Sequence, residues 1–211
     1  MFEKKVLNSN QIGVISKLGF LKDKNIYLGG GTALAIQMGH RTSVDLDFFS
    51  EQEPQMQLAV AGLATAIDNI VIKRAEKHTL FAEVGDTDIS LFYYPYKLLN
   101  PLIEVDSLYL ASVEDIIAMK MAAIIQRGTR RDFIDIFYLM GKYNVGQILE
   151  FTEKKFPGYQ DVMALKALVY FDDADDEEET ARGITVFDKN FSWEAVKKKI
   201  FEEVEGYQLH R

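Results

Sequence analysis

Cysteine is absent from the 211 residues. That excludes disulfides, thiol catalysis and a cysteine zinc site. Histidine is scarce, and His40, His78 and His210 are too scattered to make a metal-ligand spacing. No apolar run reaches the ~18 residues that a membrane span needs. The first residues, MFEKKVLNSNQ, lack the apolar core of a signal peptide. No internal repeat is visible, and the one low-complexity tract is a run of acids. These absences lead to the expectation of a cytoplasmic enzyme with no membrane partner.

The remaining composition is that of a globular chain. Hydrophobic residues make up 48%, enough for a real core, and mean hydropathy is near zero, at -0.07. The length fits one large or two small domains. The net charge of -8 argues at first against a polyanionic partner. However, Asp172, Asp173, Asp175, Asp176, Glu177, Glu178 and Glu179 supply seven negative charges, and without them the balance is -1. Read as a solvated loop, this run leaves a nearly neutral remainder that can still present a basic face.

The chain is organised around Tyr27 to Phe49, YLGGGTALAIQMGHRTSVDLDFF. Gly29, Gly30 and Gly31 allow turns and close approaches that other residues forbid. Thr32 is placed to cap a helix over Ala33 to Met38, whose free amides and dipole favour an anion. Val44-Asp45-Leu46-Asp47-Phe48 then alternates as a strand, putting Asp45 and Asp47 on one face. Two adjacent carboxylates repel unless a cation lies between them. Mg2+ takes oxygen ligands and commonly keeps substrate phosphates in its shell. Arg41 has a planar fork suited to phosphate oxygens, or it pairs with a nearby carboxylate; His40 reads as structural.

This stretch resembles the signature of the nucleotidyltransferase superfamily, a glycine pair followed by Asp-apolar-Asp. More narrowly, the ending HRTSVDLDFF resembles the AbiEii/AbiGii toxin family. Further support lies in Asp115-x4-Lys120 and in Arg130-Arg131-Asp132-Phe133-Ile134-Asp135, so the resemblance runs from about Gly29 to Met140. It implies an α+β fold: a nucleotidyltransferase mixed sheet with flanking helices, followed by a helical C-terminal domain. It also implies a Mg2+-dependent transfer of a nucleotidyl group from an NTP. The acceptor implied is RNA, in particular a tRNA 3′ end, within a type IV toxin–antitoxin system that pairs a toxin with an antitoxin protein. The other functions considered are modification of a protein hydroxyl and nucleotide binding without turnover.

Elsewhere the patterns predict helices over Gln11–Leu21, with Ile12, Ile15 and Leu18 inward, and over Gln57–Asn69. Strands are expected over Asn25–Leu28, from Ile70, and over Thr79–Val84 and Thr87–Tyr94, with a turn at Gly85-Asp86. The family usually places a third carboxylate on a strand like the last one. Asp88 is one reading of it; the other has Ser90 in that position. Residues 103–110 run extended, and the boundary falls between a core of residues 1–108 and a helical domain of residues 109–211.

Ser112-x-x-Asp115 opens a helix to Gln126 or Arg127 as a capping box. Lys120 lies on its apolar stripe, where its tip needs a carboxylate or a phosphate, unless it snorkels to solvent. The resemblance favours the triphosphate, while Asp132 and Asp135 are the alternative partners. Further helices are expected from Arg130, Val145, Asp161 and Trp193, with Trp193 in the core. The site expected from all this lies in the cleft between the domains. It has Asp45, Asp47, Asp88 and Lys120 as catalytic residues, Asp45 and Asp47 on the metal, and Gly30, Gly31, Thr32 and Arg41 on the NTP.

Overall fold

A computed structural model describes residues 4–53, 56–176 and 183–210. The chain forms two compact units, Met1–Ser112 with Gly183–Thr185, and Val113–Arg182 with Val186–Arg211.

The first unit is built on a seven-stranded mixed sheet. Its elements are α1 (Ser9–Lys17), β1 (Tyr27–Leu28), α2 (Gly30–Met38), β2 (Leu46–Ser50), α3 (Met56–Ala66), β3 (Val71–Ala75), β4 (Thr79–Val84), β5 (Thr87–Tyr93), β6 (Ile103–Val105) and β7 (Leu108–Leu110). The strand order is β3-β4-β5-β2-β1-β7-β6. β2 runs parallel to β5 and β1 parallel to β7, while the other neighbours are antiparallel.

Alternation decides the two faces. Leu46 and Phe48 of β2, Ile89 and Leu91 of β5, and Leu80 and Ala82 of β4 are buried. Asp47 and Phe49 of β2 point the other way and are half-buried. α2 is apolar on nearly every side, with Ala33, Leu34, Ala35 and Ile36 all buried. It stops at Gly39, whose φ of 65° suits a residue without a Cβ.

Several expectations change here. α1 ends at Lys17, and a 3-10 turn, Gly19–Lys24, takes over. Its start is fixed by a capping box, with Asn8 and Gln11 bonding each other's backbone amides. Gln11, Val14 and Leu18 are its buried positions, whereas Ile12 is 43% exposed. Residues 103–110 are not one extended run but a hairpin, β6–β7, turning at Asp106 with φ 48°. This hairpin joins the sheet of the first unit, so the first unit extends to Ser112.

The second unit is helical: α4 (Val113–Gln126), α5 (Arg130–Leu139), α6 (Val145–Lys155), α7 (Asp161–Leu168), α8 (Asp172–Asp175) and α9 (Trp193–Leu209). Ile116, Ile117, Met121 and Ile124 of α4 pack inward with Phe133 and Ile136 of α5. Phe133, Phe171 and Trp193 form a ring cluster with centroids 4.9 to 6.1 Å apart.

The acid run is not a wholly solvated loop. Asp172–Asp175 is a helical turn, and Asp175 accepts from the Trp193 indole and from Lys197 Nζ at 3.1 Å. The indole N–H is the larger cause holding the Asp175 carboxyl below its usual range, with Lys197 and Arg130 adding to it. Glu177, Glu178 and Glu179 lie outside the described residues.

Candidate active site

The glycine run and the aspartate strand are stitched together by their own backbones. β1 pairs antiparallel with β2, Leu28 opposite Phe48, which brings Gly29 beside Asp47. Gly29 N donates to the Asp47 carbonyl at 2.9 Å. Gly30 has φ +61°, and a Cβ there would lie 3.2 Å from Asp47 Oδ2. The missing Cβ therefore lets the Asp47 carboxylate approach the first turn of α2 directly.

Thr32 does not cap the helix. The helix begins at Gly30 with Gly29 as its N-cap, which leaves Thr32 inside the first turn. Its hydroxyl bridges Ser43 Oγ, at 2.7 Å, and the Asp45 carbonyl. With one proton to give, it donates to the carbonyl and accepts from Ser43. Thr32 thus fixes the segment carrying Asp45, just before β2, to the helix that follows the glycines. The amides of Gly30, Gly31 and Thr32 head α2, where the backbone has no intrahelical acceptor and the dipole is positive.

Arg41 lies beneath the same loop. It is 1% exposed, and its Nη1 donates to the Thr42 carbonyl at 2.9 Å. A Cβ on Gly31 would come within 2.4 Å of Arg41 Nη2. The guanidinium therefore occupies the space that Gly31 leaves open. Thr42 is in turn strapped to Thr185 by two bonds, Thr42 N to Thr185 O at 2.9 Å and Thr185 N to Thr42 Oγ1 at 2.7 Å. His40 is buried nearby in the chain.

The register of β5 separates the two third-carboxylate readings. Ser90 stands opposite Asp47 on the adjacent parallel strand. Asp88 shares that face one pair nearer the start of the strand, opposite Glu83 and exposed to solvent. Among the described residues, no group of three or more His, Cys, Asp or Glu gathers to hold a metal. Asp47 on β2 has Ser90 in register beside it, and Asp45 lies just before the strand, outside the Leu46–Ser50 ladder. Hard oxygen donors of this kind fit a Mg2+ ion that keeps phosphate and water in its remaining positions.

In the second unit, Lys120 is held between two carboxylates. Its Nζ is 2.9 Å from Asp132 Oδ1 and 2.7 Å from Asp135 Oδ2, and all three side chains are largely buried. Burial works against the charged form of Asp132, but the Lys120 ammonium and the Thr129 hydroxyl outweigh it and hold that carboxyl below its usual range. Asp115 and Lys155 form a second buried pair at 2.7 Å, which the sequence reading missed.

Comparison with known proteins places this geometry. Residues 20–106 and 88–202 match the family described as nucleotidyl transferase AbiEii toxin of type IV toxin–antitoxin systems. The chain belongs to this family. An uncharacterised protein of Aquifex aeolicus is similar to it, 33% identical over 198 residues and 92% of each chain.

Like its AbiEii relatives, the chain is a nucleotidyltransferase, and solved structures share its fold. A Helicobacter pylori protein assigned as a nucleotidyltransferase has a TM-score of 0.61 at 17% identity, over 94% of this chain and 95% of that one. The MenT4 nucleotidyltransferase toxin of Mycobacterium tuberculosis has a TM-score of 0.62 at 15% identity, over 92% and 82%. Among the described residues, no helix is long and apolar enough to cross a membrane.

Proposed function

We propose that this AbiEii-family chain transfers a nucleotidyl group from an NTP to an RNA acceptor, with a tRNA 3′ end as the favoured form. The observation that carries the reading is the contact between the two halves of the site. The Asp47 carboxylate abuts Gly30, at the head of a helix whose first amides have no intrahelical acceptor. That arrangement brings an oxygen-ligand pair and an anion-binding helix terminus together.

Asp45 and Asp47 would hold Mg2+, which when bound screens the triphosphate and polarises the α-phosphorus. The Gly30, Gly31 and Thr32 amides take the β- and γ-phosphates. The acceptor hydroxyl oxygen forms a bond to the α-phosphorus, the bond to pyrophosphate breaks, and the hydroxyl proton leaves. Ser90 in place of an acid lowers the negative charge facing the site, and Asp88 is the acid closest to it along β5.

Arg41, beneath the glycines, holds the phosphate loop in shape. Lys120, held between Asp132 and Asp135, is proposed to offer its ammonium to the triphosphate. An antitoxin protein is the proposed partner and the cytoplasm the proposed location. The test supplies each NTP labelled at the α-phosphorus, with Mg2+ and either total RNA or total protein. Label in RNA supports the reading. Label in protein alone replaces it with modification of a protein hydroxyl, and no label with intact NTP binding replaces it with a binding module.

A further inference from the structure

The face of the sheet that carries Asp47 continues as a band of aromatic rings. Phe49 follows Asp47 by two residues on β2, so their Cα atoms are roughly 7 Å apart along the strand. Across the parallel ladder, Phe92 pairs with Phe49 just as Ser90 pairs with Asp47. Phe81 of β4 pairs with Ser90 and extends the band to the next strand.

The rings touch in sequence. Phe49 and Phe92 have centroids 5.5 Å apart, Phe81 and Phe92 5.6 Å, Phe49 and Tyr94 5.2 Å, and Tyr94 and Tyr96 4.8 Å. Phe49, Phe81, Phe92 and Tyr94 are half-buried and Tyr96 is 42% exposed. The opposite face of the same strands is closed by Leu46, Phe48, Ile89 and Leu91. The aromatics thus stand on the working face of the sheet rather than in its core.

We propose that this band is a stacking platform for the unpaired bases at the end of a single-stranded polynucleotide acceptor. Two observations choose this occupant. The band starts beside Asp47, so a hydroxyl held at the carboxylates has its own base within reach of Phe49 and Phe92. The band also runs on through Tyr94 to Tyr96, wider than one base, and a mononucleotide has only one base to offer. Aromatic rings stack on bases without reading their sequence, and Tyr96 at 42% exposure is the ring of the band most open to one. Arg74, in register with Phe81 on the edge strand, is exposed and paired with Glu76 at 2.7 Å, a surface pair that a passing backbone phosphate would have to displace.

This inference rests on the nucleotidyl-transfer reading and names its acceptor surface. Its test uses binding, so the two can fail separately. A fluorescent single-stranded RNA of adenines and an abasic strand of the same length are titrated into the full chain by anisotropy at fixed salt. The expected result is that the base-bearing strand binds about tenfold more tightly for each stacked base. Tyr94→Leu with Tyr96→Ala removes most of that difference, Tyr94→Phe keeps it, and NTP affinity is unchanged in all of them. Tyr96→Ala alone, at an exposed position, gives a smaller loss and covers the case in which the double variant does not fold.

Equal binding of the two strands by the wild type overturns the platform, as does an intact difference in the leucine and alanine variants. Weakened NTP affinity with unchanged strand binding overturns the polynucleotide assignment and gives the rings to the base of the NTP. A DNA strand preferred over RNA keeps the platform and changes the acceptor's sugar. Label transfer to RNA is scored independently and decides the catalytic reading whatever the platform does.

Discussion

The Arg41 guanidinium fills the space beside Gly31 that a side chain would otherwise take, with Nη2 2.4 Å from where a Cβ would stand. The glycine therefore serves the residue below the loop as well as any ligand above it. Gly31→Ala must push Arg41 out of a fully buried slot. The expected cost is about 1–3 kcal/mol, the usual range for overpacking. A denaturant melt measures it. Combining Gly31→Ala with Arg41→Ala should cost less than the sum of the single changes, since the clash is gone; strict additivity would show that the two residues do not share the space.

Asp45→Asn and Asp47→Asn should leave the fold intact and remove transfer. Neither change adds volume, and each keeps the shape of the side chain it replaces. Loss of metal-assisted stabilisation of several kcal/mol corresponds to about a thousandfold or more in rate. The readout is label incorporation beside a melting curve. Wild-type incorporation by either variant refutes the metal role.

Lys120 and Lys155 are both buried against carboxylates, yet only Lys120 is proposed to meet the triphosphate. Lys155→Met strands Asp115 and should cost about 3–5 kcal/mol with NTP affinity unchanged in the folded fraction. Lys120→Met strands Asp132 and Asp135 and should cost a similar amount, but it should also weaken NTP binding. Nucleotide titration of the folded Lys120→Met protein separates the cases, and normal affinity would refute a phosphate role for Lys120.

The depressed Asp132 carboxyl sets a pH dependence whose sign follows from linkage. Its folded pKa lies below its unfolded value of about 3.9. The unfolded chain then binds the proton more tightly, so stability rises with pH through that window. The contribution is complete above about pH 4–5 and drains away as pH falls toward the folded value. Asp132→Asn should flatten this limb of the stability curve. A limb of unchanged steepness would assign the acid sensitivity to other carboxylates.

Tyr143 gives the opposite limb. Burial, then the 2.9 Å bond from its hydroxyl to Glu114, push its pKa up to about 12. Its stabilisation is present below the unfolded value of about 10 and is lost as pH rises through the folded value. Absorbance titration should show a phenol ionising near pH 12 that Tyr143→Phe removes. Survival of that phase in the variant would assign it to another tyrosine.

Much of the first unit could be read from the sequence because its signals are local. Strict alternation and Gly85-Asp86 marked β4, β5 and their turn, since that glycine has φ +61° and tolerates it. The alternation around Asp45 and Asp47 marked β2 two residues early: the strand runs Leu46–Ser50, with Asp47 on it and Asp45 just before it. The β6–β7 hairpin escaped because Asp106, not a glycine, takes the left-handed turn at φ 48°. α1 was rotated by one position because Gln11, a polar residue, occupies the inward face.

The relations missed at the site are ones that no spacing rule encodes. Arg41 lies under Gly31 through a close approach ten residues along the chain, and Ser90 meets Asp47 through the register of a parallel pair. Asp175 looked like one more solvated acid, yet it carries the Trp193 indole and Lys197.

The two-residue strand β1 has a consequence for synthesis. It leads directly into Gly29, and both of its partners are made after it, one early and one late. β2 arrives within some twenty residues, but the other edge waits for β7, where Leu28 pairs with Leu110 and accepts from Ala111 N at 2.9 Å. A nascent chain released before residue 108 therefore holds both aspartates and all three glycines beside an unfinished sheet. The strand that presents the glycine loop is clamped on both sides only once Leu110 and Ala111 have left the ribosome. In a member of a toxin family, that delay keeps the glycine loop unsupported on one side until β7 has been made.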